Sequence, residues 1–467
     1  MKFSESDQIE FLGDKIVHQS AGGFVFYEAL DSHVLYVALL QKSDGKFYIP
    51  KGHILKNEKP ESAALREVKE ELALDKDPKI VVKIGIDNYT FTLRDEKRTH
   101  HKNVHLYVFS VAQKENIKPL KSEDFINAEW LKFDEALEKI AFDKENLLKA
   151  RRYFYFYKPN KTLDTLKDIQ SISVGVPTHN GSKTIYQTLI SIIASLGFLP
   201  SYIKKEIIIC TDHCNDDTQL VVKKFISDRK QEEISFKLLN NSGVKGKSTV
   251  LNKIFQNSKS DLLCFIDDDV ILKKDCILNL VNYLVNQKEL RYAFAKWERK
   301  SLDSRNPWKK FWHWVLGVKF DIQPYDKPSE IMRGACVMFQ KENFVYLPNN
   351  LLNEDQFLQY IYWPRTKEVE NAIVYFNSVS SITDYYKRFI RIMAGSKQLE
   401  KEFTEERIKE CNKNLYRKID YKRILRLPLK QKLPFLFYRF LRFFINKIVK
   451  IRLSITKNYE WPRIKQN

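Results

Sequence analysis

The run DLLCFIDDDVIL, Asp261 to Leu272, constrains the fold more than any other stretch of the chain. An apolar strand leads straight into three aspartates, Asp267, Asp268 and Asp269. Two earlier runs, SISVGV and EIIIC, are also apolar throughout, and helical segments separate the three. Strands that are apolar on both faces belong in a parallel sheet covered on both sides. The alternation predicts an open, nucleotide-binding α/β sheet, with ligands beyond the carboxyl ends of its strands. Adjacent carboxylates at such an end repel one another. A divalent cation joining them to a diphosphate relieves that repulsion, and a plain turn is the weaker account.

A second carboxylate group stands far upstream, in GHILKNEKPESAALREVKEELAL, Gly52 to Leu74. Pro60 suits the first turn of a helix. On that helix Leu65, Val68 and Leu72 share a core-facing side, while Glu67, Glu70 and Glu71 gather opposite. Arg66 and Lys69 relieve the crowding only in part. A solvated acidic face is the plain reading of such a charge run. Hard cations such as Mg²⁺ take several carboxylate oxygens in a small space, which is the alternative.

The 467 residues exceed one ordinary domain. Strands GFVFYEAL, HVLYVALLQ, KFYIP and NVHLYVFSVA, with intervening helices, predict a first α/β domain over residues 1–155. A linker, RRYFYFYKPNKTLDTLKD, precedes a second domain over 168–400, and a basic helical tail fills 401–467. Six scattered cysteines suit a reducing compartment. Cys210 and Cys214 flank His213 without a second ligand pair, so they read as ordinary thiols. The start, MKFSESDQIEF, has no signal-peptide pattern, and no apolar stretch is long enough to span a bilayer. A cytoplasmic protein is expected.

Gly52, Glu58, Arg66, Glu67, Val68, Glu70, Glu71 and Leu74 match the Nudix box in order and spacing. The first domain therefore resembles the Nudix hydrolases, with an α/β/α sandwich fold. Ala73 stands where the family usually has Gly. FYIPKGH is placed as in the dinucleoside-polyphosphate and diphosphoinositol-polyphosphate branches. The resemblance implies Mg²⁺-dependent hydrolysis of a nucleoside diphosphate-linked compound. Glu67, Glu70 and Glu71 would ligate the metal, and Arg66 would orient a glutamate. Lys51, His53 and the cluster His100, His101 and His105 could touch phosphate, and a loop or strand role explains them equally well.

The second domain presents, in order, VGVPTHNGSKTIYQTLISI, EIIICTDHCNDDT, NNSGVKGKSTVLNKIF, the aspartate triplet and NEDQFLQYIY. This order resembles the family 2 glycosyltransferases of the Rossmann-like GT-A fold. The resemblance implies a nucleotide-sugar donor bound with Mg²⁺ or Mn²⁺. Asp212, Asp216 and Lys247 would serve the donor, Asp267 and Asp269 would form the DxD metal site, and Asp355 would be the general base. Gly334 matches a glycine that lets the acceptor approach the backbone. His179 and Thr211 depart from the family at the nucleotide loops. Arg388 and Ile392 depart at the Q-x-x-R-W element, so processive polymer synthesis is not expected.

The formal charge is +20, and well over half of the excess lies after about residue 411. In FYRFLRFFINKIVKIRL the cations Arg439, Arg442 and Lys450 recur near helical period with Asn446. Phe440, Leu441, Phe444, Ile445, Ile448 and Val449 fill the other side. Such a helix can lie on an anionic membrane surface or dock on the protein. Nucleic acid is not an expected partner, since no recognition module appears. The lead expectation is a bifunctional enzyme. Its rivals are a transferase regulated by a non-catalytic nucleotide-sensing Nudix module, and an RNA-end Nudix hydrolase with a basic RNA-binding tail.

Overall fold

β-Branched and aromatic residues turn the apolar runs into strands because they suit a covered, pleated surface. The computed structural model describes residues 7–29, 32–92, 98–120, 124–159, 163–229, 233–302, 304–322, 330–415 and 418–455. Their contacts divide the chain into two compact units, Met1–Pro159 and Asn160–Asn467.

The first unit runs β1 (Ile9–Leu12), β2 (Lys15–Glu28), β3 (Leu35–Lys42), β4 (Phe47–Tyr48), β5 (Lys51–His53), α1 (Pro60–Glu71), β6 (Lys79–Thr92), β7 (Thr99–Ser110), β8 (Phe125–Lys132), α2 (Phe133–Lys139) and α3 (Lys144–Tyr157). β4, β3, β2, β7 and β6 lie side by side, with β1 and β5 added to β2 and β8 to β3. β2 is parallel to β7 and antiparallel to β3. Alternation along β2 sends Ala21 and Val25 to one face and Phe24 and Phe26 to the other. Ala63, Ala64, Val68 and Leu72 of α1 complete the core on the first face. Phe26 meets Phe154 of α3 on the second, with ring centroids 5.3 Å apart. The unit is an α/β/α sandwich.

Two features differ from the sequence reading. β6 has no counterpart in it; this edge strand pairs only with β7 and buries only Ile84. Val82, Ile84 and Ile86 alternate with Lys83, Gly85 and Asp87, yet Ile86 stays exposed. The aromatic half of the expected linker is instead the end of α3, where Phe154 and Tyr155 are buried.

The second unit runs β9 (Ser171–Thr178), α4 (Ile185–Leu196), β10 (Lys204–Asp212), α5 (Thr218–Ser227), β11 (Ile234–Asn241), α6 (Lys247–Asn257), β12 (Leu262–Ile266), β13 (Val270–Leu272), α7 (Cys276–Asn286), β14 (Tyr292–Arg299), α8 (Pro307–Ile322), β15 (Cys336–Gln340), α9 (Glu354–Tyr362), β16 (Thr366–Phe376), α10 (Ile382–Leu399), α11 (Glu405–Leu415), α12 (Tyr421–Leu425) and α13 (Leu429–Ile455). The sheet order is β11-β10-β9-β12-β15-β14-β16-β13. β10 and β12 flank β9, and all three are parallel. The chain therefore crosses from one side of β9 to the other, and the loops after β9 and β12 part at that switch point.

α13 packs on α8 and α10. Phe435, Tyr438, Ile445 and Val449 join Val315, Leu316, Tyr385 and Ile390 in one buried cluster. The apolar side expected of this helix is thus divided: Ile445 and Val449 face inward, whereas Phe440, Phe444 and Ile448 are exposed. Residues 456–467 of the expected tail lie outside the described residues. Among the described residues no helix is long and apolar enough to cross a membrane.

Candidate active sites

In the first unit, α1 carries the glutamates along the sheet and β5 brings a loop to meet them. Arg66 is the organising cation. Its Nε and Nη2 each donate to Glu58 at 2.9 Å, and Nη2 also donates to the His53 carbonyl at 3.0 Å. Its Nη1 donates to Glu67 at 2.5 Å and lies 3.5 Å from Glu70. The clamp raises the guanidinium pKa, first through Glu58, against burial, and then through Glu67. Hydrogen bonds from the same guanidinium hold the Glu58 carboxyl below its ordinary range. Glu71 is buried and accepts from the Lys51 backbone N–H at 2.9 Å. The Glu70 side chain is 52% exposed. Gly52 leaves room for the central carboxylate: a Cβ there would lie 2.0 Å from Glu67 Oε2. Lys51 Nζ instead sits over the Tyr89 ring, 5.2 Å from its centroid.

The helix ends in a Schellman turn. The Leu74 N–H donates to Lys69 O and the Ala73 N–H to Glu70 O, with Ala73 at φ +49°. A left-handed alanine costs about 1–2 kcal/mol that glycine avoids. Ala73→Gly is therefore expected to stabilise the first unit by about 1 kcal/mol, read as a higher urea midpoint with an unchanged slope.

In the second unit the sequence-predicted residues collect beyond the strand ends. The buried Asp212 carboxylate accepts from Asn241 Nδ2 at 2.8 Å and the Gly246 N–H at 3.0 Å, and His213 Nδ1 lies 2.9 Å away. It thereby ties the ends of β10 and β11 to the start of α6. Asp216 accepts from the N–H groups of Thr218 and Ser182 and from the Thr218 hydroxyl. Burial raises its pKa, yet those hydrogen bonds outweigh burial and lower it. Both aspartates therefore shape the loops that ring the site.

Lys247, the first residue of α6, reaches the centre. Its Nζ is 2.7 Å from Asp267 and 2.5 Å from Glu354. Burial works against its charge, and the two carboxylates outweigh burial and raise its pKa. Asp268 turns away: it accepts from the Thr178 hydroxyl, and the Thr188 hydroxyl donates to its backbone carbonyl at 3.0 Å. The middle aspartate thus pins the loop after β9. Burial and the neighbouring Asp269 push Asp268 up to about 8, and burial with Asp267 raises Asp269. Asp355 Oδ2 accepts from the Gly334 N–H at 3.1 Å, and a Cβ on Gly334 would sit 3.2 Å from Asp355 Cβ. The close approach at Gly334 is therefore made by Asp355 itself. Burial and then Glu354 raise Asp355 to about 6.

Residues 18–150 match the NUDIX domain family, and residues 173–345 match Glycosyl transferase family 2. The chain joins a Nudix domain to a family 2 glycosyltransferase domain. A curated relative, "Probable glycosyltransferase YdaM" of Bacillus subtilis (strain 168), is 30% identical over 149 residues, covering 31% of this chain and 34% of that protein. The chain thus spans about a third of the length of the curated relative it matches. A solved mannosyltransferase from Pyrobaculum calidifontis, in complex with GDP-Man and Mn²⁺, is 13% identical, covers 66% of this chain and 82% of its own, and has a TM-score of 0.38. A C. elegans Ap4A hydrolase is 18% identical, covers 29% and 97% respectively, and has a TM-score of 0.25.

Among the described residues no three His, Cys, Asp or Glu side chains already surround a common metal position. Mg²⁺ sites often need only one or two carboxylates, with water and substrate phosphate supplying the rest. The residues present fit that pattern. In the Nudix domain, Gly52 leaves space that a Cβ would fill at Glu67. In the glycosyltransferase domain, Asp267 and Asp269 flank the inward-turned Asp268, and crowding makes their shared negative charge costly.

A histidine chain in the Nudix domain eluded sequence reasoning. His18 Nε2 lies 2.8 Å from His100 Nδ1, and His18 Nδ1 lies 3.3 Å from His53 Nε2. Burial, then the charges of His53 and His100, bring His18 down to about 4, so the ring is neutral at pH 7. Of the expected histidine cluster, His100 joins this chain, whereas His105 lies 2.9 Å from Lys83 Nζ. The parallel register of β2 on β7 makes the His18–His100 contact, and no local pattern signals it.

Proposed function

We propose that the chain is a bifunctional enzyme. The glycosyltransferase domain moves a sugar from a nucleotide-sugar donor to an acceptor hydroxyl, and the Nudix domain hydrolyses a nucleoside diphosphate-linked compound. The convergence of Lys247, Asp267, Asp269, Glu354 and Asp355 at the sheet's switch point carries the reading. In it, Asp212 and Asp216 hold the nucleotide loops, Asp267 and Asp269 take Mg²⁺ or Mn²⁺, and Lys247 balances the carboxylates. Asp355 takes the proton of the acceptor hydroxyl as the acceptor oxygen bonds the sugar carbon and the nucleoside diphosphate leaves. In the Nudix domain, Glu67, Glu70 and Glu71 hold Mg²⁺, Arg66 fixes Glu67, and Lys51 and His53 stand at the phosphate side. The cation supplies charge stabilisation and water activation when bound.

The deciding experiment is a donor screen. The chain with Mg²⁺ or Mn²⁺ is incubated with nucleotide sugars and dinucleoside polyphosphates, and products are read by mass spectrometry. Release of nucleoside diphosphate from a sugar donor should stop with Asp269→Asn and persist with Glu67→Gln. Turnover that depends wholly on Glu67 would leave only a Nudix hydrolase.

We further propose peripheral docking on the cytoplasmic face of an anionic membrane. Residues 421–455 carry ten Lys and Arg and no Asp or Glu. Phe440, Phe443 and Phe444 of α13 are 61%, 55% and 46% exposed. Phe311 of α8 extends the apolar surface through Phe437, with ring centroids 6.2 Å apart. Apolar side chains among cations suit an interface of anionic headgroups, each cation contributing about 1 kcal/mol. Phe440→Glu with Phe444→Glu should lower co-sedimentation with phosphatidylglycerol vesicles at least about tenfold. Unchanged sedimentation would remove the membrane from the reading.

A further inference from the structure

Beside Asp267 and Asp269, the second unit gathers several cations. Two guanidinium groups lie near the ring of Trp297 of β14: Arg333 is 5.6 Å and Arg388 5.9 Å from its centroid. Arg333 directly precedes Gly334, whose N–H holds Asp355. Arg388 of α10 feels Asp269 and Asp267 on one side and Arg391 and Arg333 on the other. Lys319 of α8 continues the group, and its Nζ lies 5.7 Å from the Tyr438 ring centroid. Arg442 Nη1 donates to the Tyr438 hydroxyl at 3.3 Å.

Among the described residues, no Asp or Glu lies within ion-pair distance of Arg388 or Lys319. The consequences are physical. Burial, then the neighbouring Arg391, lowers the Arg388 pKa. Burial lowers that of Lys319 too, with Arg442 and Arg388 adding to the effect against Tyr438. Burial alone would raise the Tyr438 phenol, yet Lys319, Arg442 and a hydrogen bond with Tyr385 lower it, while the same pairing raises Tyr385. Cations gathered here, with no carboxylate paired to Arg388 or Lys319 among the described residues, suit an anion.

We propose that Arg333 and Arg388, set against Trp297, form with the neighbouring Lys319 a subsite for a phosphate ester carried by the acceptor. This rests on the glycosyltransferase reading and adds the acceptor's chemical class to it. Asp355 faces the acceptor hydroxyl in that reading, and Arg333 is one residue from the glycine that positions Asp355. Arginine matches a phosphate with paired donors, and Lys319 adds a point charge. The phosphate can belong to a soluble ester or to a lipid headgroup, and the chemistry of recognition is shared.

The test uses the full chain and titration calorimetry. Glycerol 3-phosphate, glycerol and a nucleoside diphosphate with Mn²⁺ are titrated into the wild type, Arg388→Gln and Lys319→Gln. Glycerol 3-phosphate should bind the wild type and glycerol should not. Each variant should weaken the phosphate ester at least about tenfold, the loss of one charge-assisted hydrogen bond, while nucleoside diphosphate affinity stays within about twofold. Far-UV circular dichroism checks that each variant is folded, and the two substitutions lie on different helices. An equal loss of nucleoside diphosphate affinity would assign the cations to the donor and overturn the subsite. Equal binding of glycerol and glycerol 3-phosphate by the wild type would also overturn it. Phosphate-ester binding that depends on Arg388, in a chain that binds no nucleoside diphosphate, would uphold the subsite and sink the transferase reading. Short-chain phosphatidic acid, titrated below its micelle concentration, separates the two sources. Tighter binding than glycerol 3-phosphate marks a lipid acceptor, and equal binding marks a soluble one.

Discussion

Asp355→Asn is expected to leave nucleoside diphosphate binding intact and to lower glycosyl transfer about 10²–10⁴-fold, the contribution of a positioned general base. The substitution is nearly isosteric. The oxygen of the introduced amide can still accept one of the two backbone hydrogen bonds, from Gly334 or Gln356, that hold the aspartate at the start of α9. What disappears is the ability to take a proton. The pH dependence supplies an independent readout. Burial and then Glu354 raise Asp355 to about 6, and only the unprotonated carboxylate can act as base. Transfer should therefore rise with pH through about 6 and fall about tenfold per unit below it, a limb that Asp355→Asn lacks. Glu354→Gln removes the second cause of the shift, so the limb should move to lower pH. Transfer rates for Asp355→Asn within about twofold of wild type would place the base elsewhere.

The legible parts of this chain were those written locally. Apolar runs marked the inner strands, and the carboxylates at their ends became the site candidates because ligands bind beyond the strand ends in this topology. The glutamates on α1 were legible because helical period places them together. The division of labour within each group was not legible. Asp268 looks like its neighbours in sequence, and only the inward turn toward Thr178 separates it from Asp267 and Asp269. The cations of the proposed subsite come from α8, α10 and the stretch before β15, so their meeting is a product of packing. α13 is apolar over so much of its circumference that its pattern could not say which residues dock. Tyr438, Ile445 and Val449 face the core because α8 and α10 meet the helix there.

Glu67→Gln should lower diphosphate hydrolysis by about 10³-fold, the scale of several kcal/mol of charge stabilisation lost with one metal-facing carboxylate. Glycosyl transfer, which the proposed function assigns to carboxylates of the other unit, should stay at the wild-type rate. The structure allows a sharper version of this test, because Glu67 is held by shape as well as by charge. Arg66 grips one oxygen at 2.5 Å, and the missing side chain of Gly52 makes room for the other. In Gly52→Ala every charge is retained, yet a Cβ 2.0 Å from Glu67 Oε2 cannot coexist with that carboxylate position. The flexible carboxylate moves more cheaply than the backbone, so the fold should survive while the oxygen is displaced. Gly52→Ala is therefore expected to share the hydrolytic loss of Glu67→Gln with an unchanged urea midpoint. If Gly52→Ala hydrolyses at the wild-type rate, the position of that oxygen is irrelevant, and the metal-holding role assigned to Glu67 fails. If either variant, folded, also loses sugar transfer, the two sites do not act independently. The Nudix domain would then act on the transferase as a regulator.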